Sequence, residues 1–333
     1  MNLLPPEPKI KIGTETIGLI SRVESLCISI SSILSTIPPD HPIIHLTKLN
    51  EAINSLSIDY PEINLSNKFR LEGDRNLTIK IEKYLEAVDL GLRLLKDVPR
   101  ASHIIKSVHQ KISGNTPERF RIHSSADFPD PEMIPELIND LDNYVLNDIS
   151  YPSAINAALI HAQFESIRPF DELNGVTGRM LAQFHFIWKK KMSLPVFQLS
   201  SILRERKSEY FNLLGEIKTK KNIDDWILFF LKCLVDAGEK TLSILKRFLE
   251  IERQGIDTLI EKDSATSASL KLYKYFLLNP AASVPQITSA LGMSKQTANL
   301  LILKFLEEKI IEEATGKQRY RVYMRKEIID LFQ

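Results

Sequence analysis

The chain has 333 residues, of which 44% are hydrophobic and 26% charged, and its formal net charge is +1. That length accommodates two or three domains, each with its own core. The near-neutral balance excludes a chain-wide attraction to nucleic acid or acidic surfaces, so any electrostatic case has to be regional. The two cysteines, Cys27 and Cys233, lie in the apolar runs "SLCISISSIL" and "WILFFLKCLV". They read as buried core thiols and exclude a disulfide framework or a cysteine metal site. The start "MNLLPPEPKI" breaks on prolines and lacks the pattern of a leader peptide. No apolar run is expected to span a membrane, since "WILFFLKCLV" is short and interrupted by Lys232. A cytoplasmic protein without membrane contact is the expectation.

Apolar residues at three- and four-residue spacing predict helices over residues 14–34, 45–58, 77–98 and 101–113, the last stopped by Gly114. Residues 115–135, rich in proline and small polar side chains, predict a surface loop with one short hairpin. Helices resume over 135–147, 153–167, 177–191, 206–217 and 223–251. No strand long enough for a central sheet is predicted, so the fold class is mainly α. The polar stretch "EKDSATSAS", residues 261–269, reads as a linker. Beyond it come a helix at 270–280, two helices joined at Gly292 within 283–311, and a strand–turn–strand at 310–324. That order describes a small winged helix-turn-helix domain. The domain reading is an N-terminal helical region at 1–105, a core at 106–258 and the winged helix at 259–333.

The chemistry concentrates in "RPFDELNGVTGR", residues 168–179. A turn with Asn174 and Gly175 feeds a helix, and a helix start offers unpaired N–H groups and a positive dipole end to a phosphate. Arg179, one turn in, has the fork geometry for an anion, and Glu172 has the carboxylate that Mg²⁺ takes beside phosphates. The structural alternative is a helix corner capped by Asn174, with Arg179 paired to Asp171 or Glu172.

The longer segment "HAQFESIRPFDELNGVTGRML", residues 161–181, resembles the Fic (Fido) signature H-P-F-x-[DE]-G-N-G-R-x-x-R. The likeness extends to "EAINSLSIDY" (51–60), which resembles the family's inhibitory-helix segment S-x-x-x-E-G. "ERFR" (118–121) resembles the start of its substrate flap, and "RERKSEYFNLLGEI" and "DDWILFFL" resemble the segments after the core. The resemblance implies a helical Fic core and transfer of AMP from ATP, with Mg²⁺, to a hydroxyl of a target protein. Pro169, Phe170, Glu172, Asn174, Gly175 and Arg179 match the motif. Glu172 is then the metal position, Asn174, Gly175 and Arg179 the phosphate positions, and Tyr210 a residue of the nucleotide-base pocket; an aromatic on a helix is otherwise ordinary core.

Three motif positions depart from the pattern. Arg168 stands at the histidine that acts as general base, and a guanidinium with a pKa above about 12 accepts no proton near neutrality. Leu173 replaces the first glycine, where a branched side chain disfavours positive φ. Val176 replaces the first arginine and removes a charge that offsets developing negative charge. The segment "IHSSADFPDPEM" after "FR" also makes a short flap, with less edge for a target to dock against.

In the inhibitory segment Ser55 matches, while Asp59 and Tyr60 replace Glu and Gly. Asp59 either pairs with Arg179 from a closer helix, being one methylene shorter, or simply ends a helix before Pro61. His161 reads as a packed core histidine rather than a replacement base. His123, in the flap, is a more open candidate without a positioned partner.

From 266 to 333 there are ten Lys/Arg and six Asp/Glu, a charge of +4 against −3 for the rest. Ser294, Lys295, Gln296, Thr297 and Asn299 fall in the first turns of the expected recognition helix, and Lys317, Arg319 and Arg321 in the wing. DNA, bound as a homodimer, is the expected partner there; packing or dimerisation is the competing use of the module. The reading is therefore a degenerate Fic protein, weak or inactive as an AMP transferase, acting as a regulatory or binding protein. The competing reading is an atypical enzyme that transfers AMP or another phosphate-containing group, with Arg168 holding phosphate.

Overall fold

The structure is a computed structural model that describes residues 3–6, 9–61, 63, 75–97, 100–114, 119–147, 150–220, 222–316 and 319–333. Its helices in the first part of the chain are α1 (Thr14–Leu34), α2 (Pro42–Asp59), α3 (Arg75–Asp97), α4 (Ala101–Ser113), α5 (Ile134–Asn147), α6 (Ser153–Ile167) and α7 (Asn174–Trp188). Then come α8 (Leu199–Glu205), α9 (Lys207–Lys220), the long α10 (Ile223–Glu261) and α11 (Ser267–Leu278). The C-terminal elements are β1 (Ala281–Ser283), α12 (Val284–Leu291), α13 (Lys295–Glu307), β2 (Glu312–Glu313), β3 (Val322–Met324) and α14 (Lys326–Asp330). The described residues fall into two compact units. The first takes in those of Met1–Ile37, Thr47–Asn64 and Asp74–Leu242, the second those of Pro38–Leu46 and Ser243–Gln333.

In the first unit α6 and α7 form the centre. Every residue of α6 from Ala154 to Ile167 is buried, and so is every residue of α7 from Asn174 to Phe186. A helix buried on all sides has no polar face, so its apolar pattern runs around the whole cylinder. Gly178 allows the two helices to approach closely, because a Cβ there would lie 3.0 Å from Phe164 and 3.1 Å from His161 Nδ1. The Trp226 indole of α10 donates to Ala158 O of α6 at 2.9 Å.

Helix α2 is pinned to this core by a buried carboxylate. Glu51 accepts hydrogen bonds from Gln183 Nε2 at 2.9 Å, Ser200 N at 3.0 Å and Ser200 Oγ at 2.6 Å. Burial pushes its pKa up to about 7, against the lowering effect of the Ser200 bonds, the Arg179 charge and Gln183. A carboxyl raised in the folded state stabilises the fold below its ordinary value near 4.3, and that contribution is lost as pH rises through about 7. Between those values the wild type is expected to lose on the order of 3 kcal/mol relative to Glu51→Gln. Urea unfolding at a series of pH values checks this, and a pH-independent difference between the two proteins would contradict it.

Helix α1 requires a correction. By length and composition Thr14–Leu34 is apolar enough to cross a membrane, contrary to the expectation that no run reaches that length. Serines and isoleucines stand where charges would have marked a surface helix. In the fold its Val23, Leu26, Cys27 and Ile30 are buried. Its charged side chains pair with the same unit: Glu15 with Lys232, Arg22 with Glu239 and Glu24 with Lys191.

The second unit holds the three-stranded antiparallel sheet, in order β1-β3-β2, with Ala281 and Glu312 both opposite Met324. Leu272, Phe276, Ile287, Ala298, Ile302, Phe305 and Ile328 form its core. Tyr273 donates to the Ile251 and Glu252 carbonyls of α10, and Arg325 donates to Ile251 O. The helix–strand–helix–helix–strand–strand order matches the sequence-based expectation except for β1, whose three residues are too short to show a period. Other elements differ as well. Helix α8 was not anticipated, no strand occurs among described residues 119–135, and Pro131–Met133 forms a 3-10 turn. Helix α10 runs on to Glu261 and α11 begins at Ser267, leaving five residues where a nine-residue linker was expected.

Candidate functional site at the start of helix α7

The loop between α6 and α7 is built by two left-handed residues. Arg168 closes α6 at φ 41° and ψ 67°, and Leu173 opens α7 at φ 58° and ψ 17°. Leu173 thus adopts the conformation its side chain disfavours, which corrects the expectation that it would resist positive φ. The cost is about 1–2 kcal/mol per residue, offset here by the contacts that hold the loop. Asn174 is not a cap. It is the first residue of α7, and its side chain clamps the loop by accepting from Phe170 N at 3.0 Å and donating to Phe170 O at 2.7 Å.

Two residues that sequence reasoning missed brace the same loop. His109 of α4 stacks on Phe170, with ring centroids 3.5 Å apart and an angle of 5°, and its Nε2 lies 3.1 Å from Glu172 O. Burial lowers its pKa to about 4, so at neutrality the ring is uncharged and donates to that carbonyl. Arg121, within "ERFR", is buried and donates to the carbonyls of Arg168 (2.8 Å), His123 (2.9 Å) and Pro129 (2.5 Å). Its own N–H bonds Pro169 O at 2.8 Å. One guanidinium therefore ties the flap segment to the motif loop. Both residues act on backbone oxygens, which no side-chain pattern announces.

Arg179 turns away from Asp171 and Glu172, both exposed, and toward α2. Its Nε donates to Ser55 Oγ at 3.0 Å, and its Nη2 donates to Ser55 O at 2.8 Å and Asp59 Oδ2 at 2.7 Å. Burial works against the charge of this 0% exposed guanidinium, but the Asp59 carboxylate outweighs burial and the pKa is raised. Of the two readings of Asp59, the structure has the ion pair; the shorter side chain reaches because α2 lies close. A Cβ built on Gly175 would be 2.9 and 3.0 Å from the two Asp59 carboxylate oxygens and 2.8 Å from Arg179 Nη1. Asp59 thus sets a carboxylate against the first turn of α7, where the dipole and N–H groups favour an anion. Arg179 Nη1, buried beside Gly175, has no hydrogen-bond partner among the described residues.

The remaining candidates separate into three groups. Arg168 is half-buried with its guanidinium 5.0 Å over the Phe128 ring of the flap segment. Glu172 is exposed at the loop, next to exposed Asp171, a placement that fits a Mg²⁺ carried in on phosphates. Val176 is 0% exposed, so an arginine at this position would have to enter the packed first turn. Tyr210 requires correction as a pocket-lining residue. It is fully buried, its hydroxyl lies 2.8 Å from His161 Nε2, and it presents no surface to a ligand. His161 is a core histidine packed against Tyr210, Trp226 and Phe230, and burial lowers its pKa to about 3. His123 is exposed, and its carbonyl rather than its ring takes part in the Arg121 network.

In the second unit Ser294 caps α13 by accepting from Thr297 N at 3.1 Å, and Lys295, Gln296 and Asn299 are exposed on that helix. Arg319 and Arg321 are exposed before β3, and Lys317 lies outside the described residues. Sequence reasoning passed over Leu300 and Leu303 of α13, which are 70% and 58% exposed.

Residues 100–186, which span α4 to α7, match the Fic/DOC family model. Among solved structures the chain is similar to a Fic family protein from Desulfovibrio desulfuricans G20, with TM-score 0.60 and 16% identity over 96% of this chain and 98% of that one. It is also similar to a Fic domain containing signaling protein from Bacteroides thetaiotaomicron VPI-5482, with TM-score 0.53 and 18% identity over 68% of this chain and 98% of that one. Residues 134–508 of Fic-1 from C. elegans align with TM-score 0.52 and 19% identity, over 70% of this chain and 72% of that one. At these identities the likeness is one of fold.

Proposed function

We propose that this chain, a Fic-domain protein by its residues 100–186, is a regulatory or binding protein built on a degenerate Fic site and is weak or inactive in AMP transfer. The observation that carries this reading is Arg168. At the position where the family's motif has its base, the chain offers a guanidinium lying on Phe128 and no proton acceptor. His161 and His109 do not take over, since they are buried and spent on Tyr210 and the Glu172 carbonyl, and His123 is exposed on the flap with only its carbonyl engaged by Arg121. General-base assistance is worth about 10²–10⁴ in rate. The Asp59–Arg179 pair further supports a site that is closed to phosphate by the chain's own α2.

ATP with Mg²⁺ remains the ligand whose chemistry the loop suits best. Asn174 and Gly175 in the first turn of α7 and Arg179 Nη1 would hold phosphate, and Glu172 would hold the metal, which neutralises phosphate charge when bound. A second reading is transfer by atypical chemistry. It is favoured by Arg168 having no carboxylate partner among the described residues, which leaves it able to clamp a phosphate on a protein target or nucleotide. Thermal shift with ATP and Mg²⁺, followed by the intact mass of the protein, separates the two. Binding without added mass supports the first reading, and an adduct supports the second.

For the second unit we propose a winged helix that binds DNA as a dimer. The element order, the +4 charge of residues 266–333 and the exposure of Lys295, Gln296, Asn299, Arg319 and Arg321 support it. Each neutralised phosphate contributes about −0.9 to the slope of log K against log salt. Arg319→Ala with Arg321→Ala is therefore expected to weaken binding to all sequences and to flatten the slope by about 1.8. A salt titration on a duplex from the gene's own upstream region checks this. Absence of binding at low salt would assign the module to dimerisation.

A further inference from the structure

The outward face of α13 has a composition that specifies more than attraction to phosphate. Ala298, Leu301, Ile302 and Phe305 are buried and fix the inward side. Opposite them stand Gln296, Asn299, Leu300 and Leu303, at spacing i, i+3, i+4 and i+7, all exposed. The four side chains lie within eight residues, about 10 Å along the axis, or roughly three base steps. Glu307 lies on the same face one turn beyond Leu303. Its carboxylate repels phosphate, which confines the contact to the first part of the helix.

Two amides and two leucines at the end of a capped helix make an unusual surface. Asn and Gln side chains pair with both the N6 and N7 edges of adenine, and apolar side chains meet the C5-methyl of thymine. Arginine, which forks onto guanine, is absent from this face, and Lys295 is displaced from it toward the flank. Arg319 and Arg321, exposed before β3, supply the positive charge that a nucleic-acid occupant requires. Leu300 and Leu303, 70% and 58% exposed, gain favourable burial when methyl groups cover them.

We propose that α13 reads consecutive A·T base pairs in the major groove, with Gln296 and Asn299 on adenine edges and Leu300 and Leu303 on thymine methyl groups. This inference rests on the DNA-binding reading of the module and names the class of sequence it selects.

The experiment measures binding of the full-length protein to three matched duplexes by fluorescence anisotropy at low salt: one A·T-rich, one of the same sequence with deoxyuridine for thymidine, and one G·C-rich. The A·T-rich duplex is expected to bind tightest. Deoxyuridine is expected to weaken binding about fourfold for each methyl group lost from contact. Leu300→Ala with Leu303→Ala is expected to abolish the thymidine–deoxyuridine difference while leaving the salt slope unchanged; both side chains are exposed, and circular dichroism verifies the fold. Equal binding of all three duplexes overturns the inference while leaving DNA binding in place. Binding of none overturns the inference together with the DNA reading. A dimer lost in the double leucine variant, with the thymidine preference unaltered, assigns the leucines to a second copy of the chain and overturns the inference.

Discussion

Replacing Arg179 with alanine is expected to cost about 3–5 kcal/mol of unfolding free energy, the range for breaking a buried ion pair from one side. Its guanidinium is 0% exposed and makes three hydrogen bonds to Ser55 and Asp59 across 120 residues of sequence. Alanine would leave a cavity at the heart of α7, an Asp59 without its guanidinium and a Ser55 hydroxyl that has lost one donor. The Asp59 side chain is 26% exposed, so Asp59→Ala is expected to cost less, because water reaches that side of the pair. Urea unfolding followed by Trp188 and Trp226 fluorescence measures both. A loss below about 1 kcal/mol for Arg179→Ala would show that the pair is no more than a surface contact.

The second large effect concerns transfer chemistry. On the proposed reading Arg168→His alone is expected to leave the protein inactive, because Leu173 and Val176 would still weaken phosphate binding. The structure ranks them. Leu173 already holds the left-handed turn, so Leu173→Gly is expected to relieve about 1–2 kcal/mol of strain and to clear the side chain from the approach of a phosphate. Val176 is fully buried, so Val176→Arg has to force a charge into the first turn of α7. The triple variant is therefore expected to gain nucleotide affinity at a clear loss of stability. Efficient transfer by Arg168→His alone would mean that the three departures are not independent defects.

Most of the helical frame was legible in the sequence because apolar spacing and chain breakers coincide. Helix α4 stops at Gly114, whose φ is 72°, and α12 stops at Gly292, whose φ is 63°. The start of α7 was misread because Asn174 resembles a cap. Its partners are backbone atoms of Phe170, and the turn it stabilises is made by Leu173, a residue with no propensity for it. The site was half legible where side chains face side chains: Asp59 was one of two readings for Arg179's surroundings, whereas the Ser55 contacts came only with the fold. It was not legible where side chains hold carbonyls, as for Arg121 and His109. For Tyr210 the resemblance pointed to the nucleotide-base pocket and the residue type to core, and here it is core, its hydroxyl against His161.

A wild-type protein that fails to modify itself leaves two explanations standing, a missing base and a closed α2. Asp59→Ala separates them by freeing Arg179 while leaving Arg168 in place. The most direct test is the intact mass of Asp59→Ala after prolonged incubation with ATP and Mg²⁺ or Mn²⁺. The account predicts an unchanged mass, with ATP binding strengthened relative to wild type. An added AMP on each chain, absent when Arg179→Ala is introduced into the same variant, would contradict it and show a competent transferase restrained only by its own helix.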